Sequence, residues 1–217
     1  MTIQDGPGRI AHTVWCYAVA GWSGFFVMLV ELIGGRVIAP FFGSSIYVWG
    51  SVIFVFMLGL AIGYLVGGLW SRHTPSVPRL CAILAAAALA TLPVVLFGDR
   101  LLNLIFDHTT DPRTGSLLTC FLLFFIPAAL SGMISPYAVR LIVRDEATSG
   151  RSAGYLYFVS TVGSSAGTLM TSFYLVLWFE VNTILIAGVA VSLLVAAFGA
   201  LAGRGAARTS AASGDAA

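Results

Sequence analysis

The chain has 217 residues, of which 59% are hydrophobic and only 9% charged, and its formal net charge is +2. A soluble domain carries about 25% charged residues, so this composition excludes a protein that wets its own surface; it reads as all-α and polytopic, dissolved in lipid. The basic residues are all arginine, and with no basic run interleaved with aromatics they give no reason to expect nucleic acid.

A helix needs about 20 apolar residues to cross a bilayer core of roughly 30 Å. In chain order, six runs are predicted to do so: 13–33, 46–70, 80–97, 116–134, 153–179 and 181–201. Residues 1–12 form a short N-terminal segment. Arg9 precedes the first run as in a secretory signal, but the run is long and no small-x-small cleavage site follows, so a retained helix is expected. Residues 98–115 are expected to be the longest loop, with "LLNLIF" as an amphipathic turn on the membrane surface. The tail 202–217, small, polar and low in complexity, is expected to be disordered.

With the N-terminus inside, Arg9, Arg72, Arg79, Arg140, Arg144, Arg151, Arg204 and Arg208 fall on one side, against Arg36, Arg100 and Arg113 on the other. This bias predicts a cytoplasmic (inner) membrane protein with both termini in the cytoplasm. Trp49, Trp70 and Trp178 near run ends fit interfacial belts. The runs also divide as three plus three: "GGRVIAPFFGSS" and "SGMISPYAVRLIV" each lead into a glycine-rich run, resembling an inverted repeat.

Within "ELIGGRVIAPFFGSS", residues 31–45, Glu31 lies about 27 Å along the first run, close to its boundary. Gly34–Gly35 and Pro40 are expected to break the helix there, and Glu31 and Arg36 pair only if the chain bends at the glycines. Arg36 can snorkel while Glu31 caps a neighbouring loop. Alternatively, Glu31 faces an outward-opening cavity and attracts a cation or amine.

Run two carries Gly59, Gly63 and Gly67 at a spacing of four, a groove for close approach of another helix. Run five repeats the device at Gly163 and Gly167, beside Ser160, Ser164 and Thr168, with Tyr157 nearer the cytoplasmic end. These hydroxyls serve interhelical packing or line a narrow substrate path. Pro127 and Pro136 interrupt run four and free backbone carbonyls. "DHTTD", 107–111, offers too few ligands for a metal and reads as solvated loop; Cys16, Cys81 and Cys120 read as small apolar helix residues. No cofactor is expected.

"ELIGGRVIAPFFGSSIYVWGSVIFVFMLGLAIGYLVGG", then "LSGMISPYAVRLIV" and "GRSAGYLYFVSTVGSSAGTL", resemble in order and spacing the membrane region of membrane-bound spermidine synthase-like proteins. The likeness is carried by Glu31, Arg36, Pro40, Trp49, Pro136, Arg140, Arg151 and the glycines of runs two and five. It implies a cytosolic aminopropyltransferase-like domain after the membrane region. Only sixteen residues follow Leu201, with no glycine-rich cofactor turn, so this chain is not expected to be an enzyme by itself.

Two functions follow as expectations. One is a non-catalytic membrane subunit or scaffold that packs through its glycine faces against other membrane proteins, or a second copy, and serves a separately encoded cytosolic enzyme. The other is a small secondary transporter or channel-like module for a polyamine or other cation.

Overall fold

The computed structural model describes residues 7–214 apart from 73, 110, 144 and 145; side chains are described for 12–201 apart from 73, 110 and 144–148, so those of Arg9, Arg144, Arg204 and Arg208 lie outside it. All regular structure among these residues is helical: α1 (Pro7–Phe42), α2 (Ile46–Trp70), α3 (Val77–His108), α4 (Pro112–Gly132), α5 (Ile134–Ile142), α6 (Glu146–Met170), a π turn (Thr171–Leu175), α7 (Val176–Trp178) and α8 (Val181–Gly214). Five stretches are long and apolar enough to cross a membrane: His12–Phe42, Ile46–Trp70, Val77–His108, Pro112–Ile142 and Val181–Leu201. The path from α6 through α7 is as long, but hydroxyl-rich and interrupted by the π turn.

Several boundaries differ from expectation. Helix α1 runs through Gly34–Gly35 and Pro40 to Phe42. The two glycines are contact points instead of breaks: a Cβ at Gly34 would lie 3.1 Å from the Phe124 ring, and one at Gly35 would lie 2.8 Å from the Trp49 ring. Pro40 sits in the last turn, where the one carbonyl it leaves without an amide is that of Arg36, an exposed residue. Helix α3 continues to His108, so "LLNLIF" is the end of a transmembrane helix. Leu102 and Ile105 are buried there, and Phe106 meets the rings of Phe41 and Phe42 edge-on. Asp111 caps α4 by accepting the Arg113 N–H at 3.0 Å. The fourth crossing is interrupted at Met133, which separates α4 from α5. Beyond Leu201, α8 stays helical to Gly214 where disorder was expected.

Two close interfaces organise the bundle. On α2, Cβ atoms at Gly59, Gly63 and Gly67 would strike the backbone of Phe125, Ala129 and Met133 in turn, so α2 lies parallel to the crossing formed by α4 and α5. On α6, Cβ atoms at Gly163 and Gly167 would strike the backbone of Gly21 and Phe25, so α6 lies parallel to α1. Each residue of the second interface is offset by 104 from its counterpart in the first: Gly163 and Gly167 follow Gly59 and Gly63, and Gly21 and Phe25 precede Phe125 and Ala129. The same shift relates the starts of α3 and α8, Val77 and Val181, and these two helices pack together antiparallel, with Cys81 near the start of α3 against Gly199 late in α8.

Side-chain hydrogen bonds lock the seams. The Trp22 indole donates to Ser192 Oγ at 2.8 Å, tying α1 to α8, and Ser192 Oγ donates to the Gly188 carbonyl. Ser51 and Ser116 share a buried 3.2 Å hydrogen bond between α2 and α4. Tyr137 is buried, with its hydroxyl accepting the Ser76 N–H. Cys16, Cys81 and Cys120 are buried and unbonded.

Candidate functional site

On α1, Glu31 stands seven residues past Gly24 and four before Gly35, so the three share one face. At Gly24 that face meets α6, where a Cβ would lie 2.9 Å from Ser164 Oγ; at Gly35 it meets Trp49 of α2. Glu31 therefore lies in the groove that α1 leaves between its contact with α6 at Gly24 and its contact with α2 at Gly35. It is half-buried and makes no hydrogen bond or ion pair with any described residue. Arg36 does not pair with it: the helix is continuous between them, and positions five apart point about 140° away from each other.

The longer helix also changes the depth of Glu31. Arg36 and Pro40 are exposed and line a cavity of about 390 Å³ with Asp99 of α3 and Glu180 and Asn182 near the start of α8. Charges gathered at one end of three helices mark a water boundary. Glu31 lies five residues inside that level, about 7.5 Å deeper, and not near the helix end where a break at Gly34 would leave it.

Helix α6 carries hydroxyls at two exposures. Ser164 and Thr168 are half-buried, and Thr168 Oγ1 donates to the Ser164 carbonyl at 3.0 Å. Thr161, Ser165 and Ser172 are exposed on the outward side, beside the exposed Phe158, Val162, Leu169 and Phe173, which suit lipid. The parallel register, Gly163 at Gly21 and Gly167 at Phe25, puts Thr171 nearest the level of Glu31 among the hydroxyls turned toward α1, with Thr168 about a turn lower. Ser160 lies some 15 Å lower, and Tyr157, which is exposed, about 20 Å lower, so the structure does not gather these two with Glu31.

Thr171 was not among the sequence-derived site residues, although its signal was present. It continues the ladder Gly163–Gly167 at the position equivalent to Gly67, with threonine in place of glycine. The glycines assigned to packing pack within this chain, so their faces are not free for another protein. Of the remaining motif residues, Trp49 packs on Gly35, Pro136 is half-buried in α5, Arg140 is exposed, and the Arg151 guanidinium lies 5.7 Å from the Tyr155 ring centre. No group of three or more metal-binding side chains occurs among the described residues.

The architecture is thus that of a multi-pass helical membrane protein with an unpaired carboxylate in a groove between two helices. Compared with protein-family models, with curated proteins and with solved structures, the chain matches none.

Proposed function

We propose that the chain is a non-catalytic transport module for an organic amine or other small cation, built as an inverted repeat of three plus three crossings, with both termini on the cytoplasmic side of the inner membrane. The observation that carries this is where the repeat holds and where it fails. Rungs that must be glycine for helix contact recur 104 residues apart, as does Arg36 at Arg140. Groove residues do not: Glu31 corresponds to Ser135, Ser164 to Leu60 and Thr168 to Tyr64. Packing demands symmetry; a carboxylate and hydroxyls confined to one half answer a different demand. A charge inside the hydrocarbon depth is costly, and ionisable residues there mark ligand or ion paths. Transporters built from inverted repeats place their sites at the repeat interface, and α1 and α6 belong to different halves.

The resemblance in the glycine-rich stretches favours an amine as the cation. A scaffold role through the glycine faces has less support, since α4 and α1 already occupy them. The test is uptake of radiolabelled putrescine or spermidine into liposomes reconstituted with the purified chain. Uptake abolished by Glu31→Gln is expected; absence of uptake, or uptake indifferent to that substitution, refutes the reading.

A further inference from the structure

The third rung of the α6 ladder differs from its counterpart in a way that packing does not explain. In α2, a Cβ at Gly67 would come within 2.6 Å of the Met133 backbone. The equivalent position in α6 is Thr171, and the residue equivalent to Met133 is Leu29 of α1. A side chain at that rung cannot fit against a helix held as close as α2 holds to Met133. At Thr171 the helix widens into a π turn, in which the Val176 N–H reaches back five residues to the Thr171 carbonyl. The inserted residue leaves a carbonyl in that turn without its usual amide, a feature often found at functional sites.

The threonine hydroxyl makes no use of the space. Thr171 is 0% exposed, and its Oγ1 has no hydrogen-bond partner. Elsewhere in the bundle such hydroxyls bond the carbonyl four residues back, as Thr91, Thr119 and Ser192 do. A buried hydroxyl left unpaired is destabilising, and valine would fill the same volume without that loss. Gly24 of α1 meets Ser164 of α6, and seven residues further along these parallel helices, on the same faces, stand Glu31 and Thr171; Glu31 is likewise unpartnered among the described residues.

We propose that Thr171 Oγ1 and the carbonyls loosened by the π turn form a site for a dehydrated sodium ion, with the Glu31 carboxylate as its counter-charge. The donors are all oxygen, which suits a hard cation. A single carboxylate neutralises one positive charge; a divalent ion would leave an uncompensated charge at this depth. The inference deepens the transport reading, which supplies the groove, by making sodium the ion that exchanges with the amine at this one carboxylate.

The test uses the full chain purified in detergent, with equilibrium binding of radioactive sodium at constant ionic strength in choline chloride. Saturable binding of about one ion per chain is expected, weakened at least tenfold by Thr171→Val and by Glu31→Gln and unchanged by Ser172→Ala at the exposed neighbour. Thr171→Gly restores the ladder found in α2, so it should fold and should also lose sodium. No saturable binding by the unsubstituted chain, or full binding by folded Thr171→Val or Thr171→Gly, overturns the site. Putrescine binding measured without sodium separates the two ideas. If putrescine binds and sodium does not, this site falls while the transport reading stands; if sodium binds and putrescine does not, the amine reading falls and this site stands.

Discussion

Substituting adjacent glycines of α2 tests the ladder directly. A Cβ at Gly67 would stand 2.6 Å from the Cα and carbonyl oxygen of Met133, whereas one at Gly68 meets nothing within 4 Å. Ordinary carbon contact needs about 3.5–4.0 Å, so Gly67→Ala forces α2 and α5 apart by about 1 Å. No rotamer relieves the clash, because both atoms are backbone. A gap of 0.5–1 Å forfeits a quarter to a half of each van der Waals contact along the seam, and overpacking of this kind costs about 1–3 kcal/mol. Gly68→Ala has no such contact and removes a flexible residue from a helix interior, which should stabilise by about 0.5–1 kcal/mol. Unfolding of the two variants in mixed micelles should therefore move in opposite directions, although the substitutions are chemically identical and neighbouring. Gly167→Ala, striking the Phe25 backbone, should fall with Gly67→Ala. A Gly67→Ala protein as stable as Gly68→Ala would refute the interface.

Two other substitutions bear on the frame. Ser192→Ala strands the Trp22 indole N–H, which now donates at 2.8 Å, and should cost about 1–2 kcal/mol in the same unfolding assay, with a shift in tryptophan emission. Gly43, between α1 and α2, holds φ at +81°, so Gly43→Ala should destabilise by about 1 kcal/mol while Gly43→Asn costs less; equal stability of the two would contradict the turn.

Apolar length made the crossings legible in the sequence, and the four-residue glycine spacing identified which helix faces touch. Their partners were not legible, because an interface of glycine against backbone leaves no pattern on the opposing helix: Ala129 and Phe25 look like any apolar residue. The breaks expected at Gly34–Gly35 and Pro40 failed for a related reason. Local propensity disfavours helix there, but the rings of Phe124 and Trp49 fill the space the glycines leave, and packing outweighs about 1 kcal/mol per glycine. That error also misjudged Glu31, whose depth depends on how far α1 continues beyond it. The hydroxyls of α6 recur every fourth residue in the sequence, but a column 20 Å long is not a site, and Tyr157 and Ser160 dropped away once α6 was set parallel to α1.

The unpaired state of Glu31 makes a prediction opposite in sign to that of a structural carboxylate. A glutamate that holds helices together through a hydrogen bond or ion pair loses stability when changed to glutamine, because its partner is stranded. Glu31 has no such partner among the described residues and lies about 7.5 Å inside the level of Arg36. Removing its charge therefore relieves a desolvation cost and strands nothing. A charge at a helix centre costs about 2.5–3.5 kcal/mol on insertion scales, and at this shallower, half-buried position about 1–2 kcal/mol is expected. Glu31→Gln should thus raise the Tm in choline chloride while abolishing amine uptake, a gain in stability coupled to a loss of function. Ser135, at the equivalent place in the second half, carries no such cost, and Ser135→Ala should leave uptake intact. If Glu31→Gln lowered the Tm instead, the carboxylate would be holding the bundle together, and the groove would have no cation to explain it.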